Sequence, residues 1–328
     1  MERVIEALAL EEKLGQMFMS ACENDYVSGN LINLITKYHI GGVYIAFPDF
    51  NKKVSLAHLN QYLQFYATNS RPLIIAAGQD FEKYDGIVVM PKEETLFKLN
   101  NRLYAKQLAE VIAFEHRIAG INTIFYPRLK VDDPEETETV AKHGAAIVQG
   151  LKKCFVASCV SGFPKAGELD QAMKPDNRKA NVYPFYKAAQ EQVGMLKVEE
   201  LDESAIGYIR ETLSFENIII YEMDEPFTTP EEIGEHIIRA IHAGVNMIVL
   251  PYTYKEQLSL LNYVIEKAKA GKIEHYKIND SVKRLFALKK AYRMNELLTA
   301  EDLKLKAHYI ETVKAKMIEK INALNGAE

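Results

Sequence analysis

Apolar residues fall into short unbroken runs separated by segments with helical spacing. The runs are IGGVYIAF (40–47), PLIIAAG (72–78), INTIFYP (121–127), CFVASCV (154–160), VGMLKV (193–198), ENIIIYEM (216–223) and VNMIVLPY (245–252). They are continuous rather than alternating in polarity, the pattern of strands covered on both faces of a parallel sheet. Between them lie amphipathic stretches at 93–120, 139–153, 203–215 and 230–244. The last opens with Pro230, Glu231 and Glu232 and stops at Gly244, suitable chemistry for a helix start and stop. Strands alternating with helices imply right-handed βαβ units. Seven such runs predict an α/β fold, a TIM-like (β/α)8 barrel with one strand missed or irregular, over an open doubly wound sheet. No GxGxxG follows the first run, which argues against dinucleotide binding.

Past residue 280 the pattern becomes helix only. DSVKRLFALKKAYRM (280–294) predicts one helix and TAEDLKLKAHYIETVKAKMIEKINALN (299–325) another, opened by Thr299 with Asp302 three residues on. Leu303, Ala307, Ile310, Val313, Met317, Ile321 and Leu324 form an apolar stripe along the second, which predicts a helix docked on the side of the barrel or, alternatively, a homodimer contact. The expected organisation is a barrel over 1–295 and a C-terminal helical extension over 296–328.

Composition narrows the partners. The 328 residues carry a formal net charge of -5 and no long basic run, so neither nucleic acid nor an anionic membrane is expected as a partner. No apolar stretch approaches the roughly 20 residues of a membrane span. The N-terminus is acidic and amphipathic, unlike a signal peptide, so a cytoplasmic location is expected. Cys154 and Cys159 are five apart on one predicted strand and point to opposite faces; with Cys22 they read as free thiols of a reducing compartment.

In a barrel of this kind, chemistry collects at the C-terminal ends of the strands. Those ends offer Asp80 and Glu82, then Arg128, Lys130 and Asp132, then the loop VSGFPKAGELD (160–170) with Phe163, Lys165 and Glu168. Lys197, Glu199 and Glu200, then Tyr221, Glu222 and Asp224, and finally Tyr252 and Tyr254 complete the set. Paired carboxylates flanking a cleft are the tools of glycoside hydrolysis: one attacks as an anion, while the other holds a proton for the leaving oxygen. Glu222 is the leading candidate because three isoleucines before it anchor its backbone at a strand end. None of the 8 histidines stands beside a second ligand at metal-binding spacing, so neither metal nor other cofactor is expected. A nucleophile-elbow sequence for Ser-His-Asp chemistry is also lacking.

Seven segments, in order, carry a resemblance: EEKLGQMFM (11–19), KYHIGGVYIAF (37–47), AGINTIFYP (119–127), SGFPKAG (161–167), ENIIIYE (216–222), AIHAGVNMIVLP (240–251) and INDSVKRLFALKK (278–290). Together they resemble the barrel domain of glycoside hydrolase family 3, especially the bacterial β-N-acetylglucosaminidases, over residues 8–292. The resemblance implies retaining hydrolysis by a nucleophilic aspartate, with a loop histidine as acid/base. Glu222 stands at the nucleophile position, one methylene longer than aspartate, and a misplacement on the order of 1 Å can cost about a hundredfold in rate.

The family loop reads Lys-His-Phe-Pro-Gly-His-Gly-Asp. Here Ser161 and Gly162 replace Lys-His, Phe163 and Pro164 remain, and Lys165, Ala166, Gly167 and Glu168 follow. No histidine occurs from Gly144 to Glu235. The family's sugar-gripping Asp-Gln-Glu-Gly-Gly becomes Gly78-Gln-Asp-Phe-Glu82, leaving Asp80 as the nearest carboxylate. The expectation is a barrel that keeps the family's frame but has lost the standard hydrolytic machinery. It would bind a sugar or cell-wall fragment, or serve a protein partner as a regulator. Lys130, Phe163, Lys165, Tyr221 and Tyr252 join Asp80 as candidate substrate contacts. The alternative is an active retaining β-glycosidase with Glu222 as nucleophile and Glu168 or Asp80 as acid.

Overall fold

The computed structural model describes residues 5–22, 28–46, 48–67, 71–78, 101–164, 168–169, 181–296 and, further on, 312, 313, 315, 316 and 319. Eight parallel strands close into a barrel in sequence order. They are β1 Phe18–Cys22, β2 Gly42–Ile45, β3 Ile74–Ala77, β4 Thr123–Ile124, β5 Ala157–Val160, β6 Met195–Val198, β7 Ile218–Glu222 and β8 Met247–Leu250. Closure comes from β1 pairing with β8, Phe18 opposite Ile248 and Ser20 opposite Leu250. The helices, in order, are α1 Leu10–Gln16, α2 Gly29–Lys37, α3 Lys53–Ala67, α4 Arg102–Ile118, α5 Thr137–Lys153, α6 Tyr183–Gln190, α7 Glu203–Glu211, α8 Pro230–Ala243, α9 Tyr254–Lys269 and α10 His275–Ala291.

The strand absent from the apolar-run count is the first. Helix α1 hands over to β1 across Met17 alone, with no glycine or proline between them to mark the change. The run therefore reads on as one amphipathic helix. The other seven strands lie within the predicted runs. Helix α8 starts and stops as its sequence predicts. Thr229 accepts a hydrogen bond from the Glu232 N–H, Pro230 occupies the first turn, and Gly244 closes the helix at φ 105°, a left-handed conformation that favours glycine.

Both barrel layers are apolar. Ile74, Ile75, Ile218, Ile219, Ile220, Ile248 and Val249 are all fully buried. Two buried asparagines at strand starts clip neighbouring strands. Asn122 accepts from the Ile75 N–H and donates to Leu73 O, both at 2.9 Å. Asn246 accepts from the Ile219 N–H at 2.9 Å. These bonds fix strand register at one end and leave the other end free for loops.

The predicted helix over 280–294 appears as α10, which starts earlier, at His275. The helix predicted over 299–325 falls almost wholly outside the described residues; Val313, which is described, is buried. No helix among the described residues is long and apolar enough to cross a membrane.

Candidate functional site

A cavity of about 310 Å³ opens at the C-terminal ends of the strands, lined by Tyr44, Ala46, Gly78, Phe125, Arg128, Cys159, Ser161, Lys197, Glu199 and Glu222. That volume stands at the lower end of the roughly 300–1,000 Å³ usual for small-molecule sites. Its walls come from β2 to β7 and the loops that follow them, because side chains of one parity on each strand face the barrel axis.

The centre of the cavity is an ion pair. Lys197 Nζ, on β6, donates to Glu222 Oε2, on β7, at 2.9 Å. Paired register sets Lys197 beside Ile220 and Val198 beside Tyr221, so the two charged side chains come from adjacent strands, two residues apart in register and on the same face. Burial works to lower the lysine's pKa, but Glu222 and Glu199 outweigh it and hold the ammonium above its ordinary value. Lys197 is therefore a firmly charged cation.

Glu199 also lines the cavity, where its Oε1 accepts a hydrogen bond from the Gly162 N–H at 3.1 Å. Gly162 has φ 83°, a left-handed turn made where a Cβ would crowd Lys130 and Arg128. Beneath the ion pair lies Cys159. Burial, reinforced by Glu222 and Glu199, pushes its pKa up, so the thiol stays protonated and a poor nucleophile. Tyr44 and Phe125, with ring centroids 5.0 Å apart, form the aromatic part of the wall.

Of the residues named at the strand ends, the structure brings Arg128, Lys197, Glu199 and Glu222 to the cavity. Tyr221 precedes Glu222 on the same strand and so faces the other way. Its ring stacks on His236 of α8 at 5.7 Å and its hydroxyl donates to Glu225 at 3.3 Å. Burial, then Glu225 and Asp224, push the Tyr221 pKa up. The Tyr252 hydroxyl donates to Glu225 O at 2.9 Å; burial and then Glu225 raise its pKa to about 12. Phe163 is buried edge-on against Phe185 at 5.0 Å, as part of the packing that holds the loop.

Lys130 pairs with Asp132 at 3.1 Å on the surface, and Glu168 is exposed. Neither is among the cavity-lining residues. Asp80 and Lys165 lie outside the described residues. Among the described residues, no group of three or more His, Cys, Asp or Glu side chains is arranged to hold a metal ion. The Lys197–Glu222 pair was not foreseen, although a lysine inside the apolar run VGMLKV was its signal, since a charge in a buried strand needs a partner.

Solved structures share this architecture. A glycoside hydrolase family 3 β-N-acetylglucosaminidase from Paenibacillus sp. str. FPU-7 superposes with a TM-score of 0.75 at 23% identity, over 94% of this chain and 68% of that one. A β-N-acetylhexosaminidase from Beutenbergia cavernae gives 0.73 at 17% identity, over 86% of this chain and 99% of that one. The β-N-acetylglucosaminidase from Thermotoga maritima gives 0.71 at 18% identity, over 90% and 70%. At these identities the likeness establishes the fold. No curated protein matches the chain. Residues 9–288 match the glycosyl hydrolase family 3 N terminal domain, which spans most of the chain, so the protein belongs to glycosyl hydrolase family 3.

Proposed function

We propose that this barrel binds a carbohydrate at its strand ends and does not cleave glycosidic bonds by the family's two-group route. The observation that carries this reading is the 2.9 Å contact between Lys197 and Glu222. A retaining nucleophile attacks as an anion, whose reactivity a strong charge-assisted donor lowers, and a partner must hold a proton for the leaving oxygen. Glu222 has one oxygen committed to an ammonium. The second carboxylate on the cavity, Glu199, has its Oε1 engaged by the Gly162 backbone N–H. Among the described residues, no histidine lines the cavity. The Tyr44–Phe125 wall and the polar groups opposite suit a sugar ring, which presents apolar C–H faces and hydroxyl edges. The similar solved structures named as β-N-acetylglucosaminidases direct the first trials to N-acetylglucosamine.

A thermal-shift series tests binding. N-acetylglucosamine, glucose, xylose and short cell-wall fragments are titrated, and a saturable rise in melting temperature is expected; at a hundredfold excess over Kd, about 2.7 kcal/mol of stabilisation is expected. A flat response to every sugar removes the reading.

A second reading, a live retaining glycosidase, is favoured by one observation: Glu199 and Glu222 share one cavity. It makes Glu199, rather than the exposed Glu168, the described candidate for the acid. Chromogenic β-N-acetylglucosaminide, β-glucoside and β-xyloside decide between the readings. Turnover that disappears in Glu222→Gln establishes the second and ends the first.

A further inference from the structure

We infer that Lys197 is the residue that keeps Glu222 from reacting, and that neutralising it lets Glu222 take a glycosyl group from a sugar whose leaving group needs no proton. This deepens the proposed function and rests on it. The geometry sets the direction of the effect. Lys197 Nζ and Glu222 Oε2 are 2.9 Å apart, with both side chains only partly exposed, at 21% and 30%. Attack on an anomeric carbon turns the Glu222 carboxylate into an uncharged ester. The ammonium would then lose its nearest counter-charge while still in the cavity. Glu199 would replace it only in part, because its influence on the ammonium is smaller than that of Glu222, the one that bonds it directly. The ion pair stabilises the resting enzyme and not the glycosyl ester, so it raises the barrier to ester formation.

The reaction to be examined balances without a general acid. A Glu222 oxygen forms a bond to C1 of a 2,4-dinitrophenyl 2-deoxy-2-fluoro-β-D-glucoside. The C1–O bond breaks, and its electron pair leaves as dinitrophenolate. No proton moves, so the lack of an acid is not tested. The 2-fluoro group slows hydrolysis of the ester, which accumulates as a mass increase on the protein.

The lysine is changed to Met, which removes charge and donor, to Gln, which keeps a neutral donor, and to Arg, which keeps the charge. Each protein is incubated with the fluoro-sugar, and intact mass and peptide mapping follow the label. Lys197→Met is expected to label at Glu222 about tenfold to a hundredfold faster than the parent, the ratio corresponding to loss of a charge-assisted hydrogen bond. Lys197→Gln should fall between, Lys197→Arg should match the parent, and adding Glu222→Gln should abolish the label.

Two results overturn the inference in distinguishable ways. If the parent labels as fast as Lys197→Met, the lysine restrains nothing, and the proposed function fails with it because Glu222 is then competent. If neither variant labels while both melt cooperatively and are still stabilised by a bound sugar, the inference fails and sugar binding stands. Should Lys197→Met not fold, Lys197→Gln decides the same question.

Discussion

The barrel encloses a lysine at each end, and their pKa values are pushed in opposite directions. At the strand ends Lys197 faces the Glu222 carboxylate, and its pKa rises despite burial. At the base, Lys289 on α10 donates to the Gln16 amide Oε1 at 2.7 Å. Gln16 in turn donates to His39 O at 2.6 Å, tying α10, α1 and the turn that leads into β2 together. Burial is the main influence on Lys289, with the Arg71 guanidinium adding to it, and the pKa falls to about 7. An amide can accept a hydrogen bond but cannot offset a charge. Arg71 is itself paired with Glu12, so that carboxylate is already used. The same side chain is thus fully charged in the cavity at one end and loses its proton near neutral pH in the packing at the other. Burial pulls both lysines down; a carboxylate partner reverses it only for Lys197, the less deeply buried of the two.

This contrast makes opposite predictions about pH. For Lys289 the folded pKa lies below the unfolded one. The unfolded chain therefore binds more protons between about pH 7 and 10.5, and stability rises with pH across that window. Relative to Lys289→Met, the parent should gain up to about 4 kcal/mol between pH 6 and pH 10.5. Below pH 7 Lys289→Met should be the more stable protein, by an amount reduced because the Gln16 oxygen loses its donor. Denaturant melts of both proteins at a series of pH values measure this. A difference that stays constant with pH would mean that Lys289 is charged in the fold. For Lys197 the sign is reversed: its contribution is complete below about pH 10.5 and is lost only as pH climbs through the raised folded value.

The two ends also differed in how far the sequence revealed them. The segments that carried the family resemblance contain Gln16, His39, Gly41 and Lys289. These residues meet at the base, where a Cβ on Gly41 would lie 1.9 Å from Gln16 O. Such close approach tolerates little variation, so the frame is written in local motifs. At the strand ends the resemblance segments hold Glu222 and Gly162 but not their partners: Lys197 meets Glu222 across paired strands, and Glu199 meets Gly162 through a loop. No local pattern encodes a cross-strand contact. Side-chain parity was legible, since Tyr221 and Glu222 are consecutive on one strand and cannot both face the cavity. The first strand was not legible, because FMSAC follows a helix without a breaking residue.

A smaller effect is expected when the upper lysine loses its partner. Glu222→Gln keeps the shape but leaves Lys197 with a neutral amide, the arrangement found at the base. The Lys197 pKa should then move down, and stability at pH 7 should fall by about 1–2 kcal/mol, less than for a fully buried pair because both groups touch solvent. Chemical denaturation gives the stability change. Reductive methylation followed by NMR of the labelled lysine gives the direction of the pKa change. An unchanged titration would mean that Glu199, not Glu222, keeps Lys197 charged.

The smallest effect is expected outside the cavity. Lys130 lies on the surface beside the site, 3.1 Å from Asp132, with side-chain exposures of 45% and 80%. Water already screens such a pair, and holding two long side chains together costs conformational entropy. Lys130→Ala should therefore change stability by no more than about 0.5 kcal/mol and leave the midpoint of any sugar titration where it was. Lys197→Met should move that midpoint, because Lys197 lines the cavity and Lys130 does not. Paired titrations of the two variants set one cation against the other. A Lys130 effect as large as that of Lys197 would extend the binding surface beyond the cavity, over the loop that follows β4. It would also mean that a solvent-exposed charge contributes as much to the ligand as one fixed between two carboxylates.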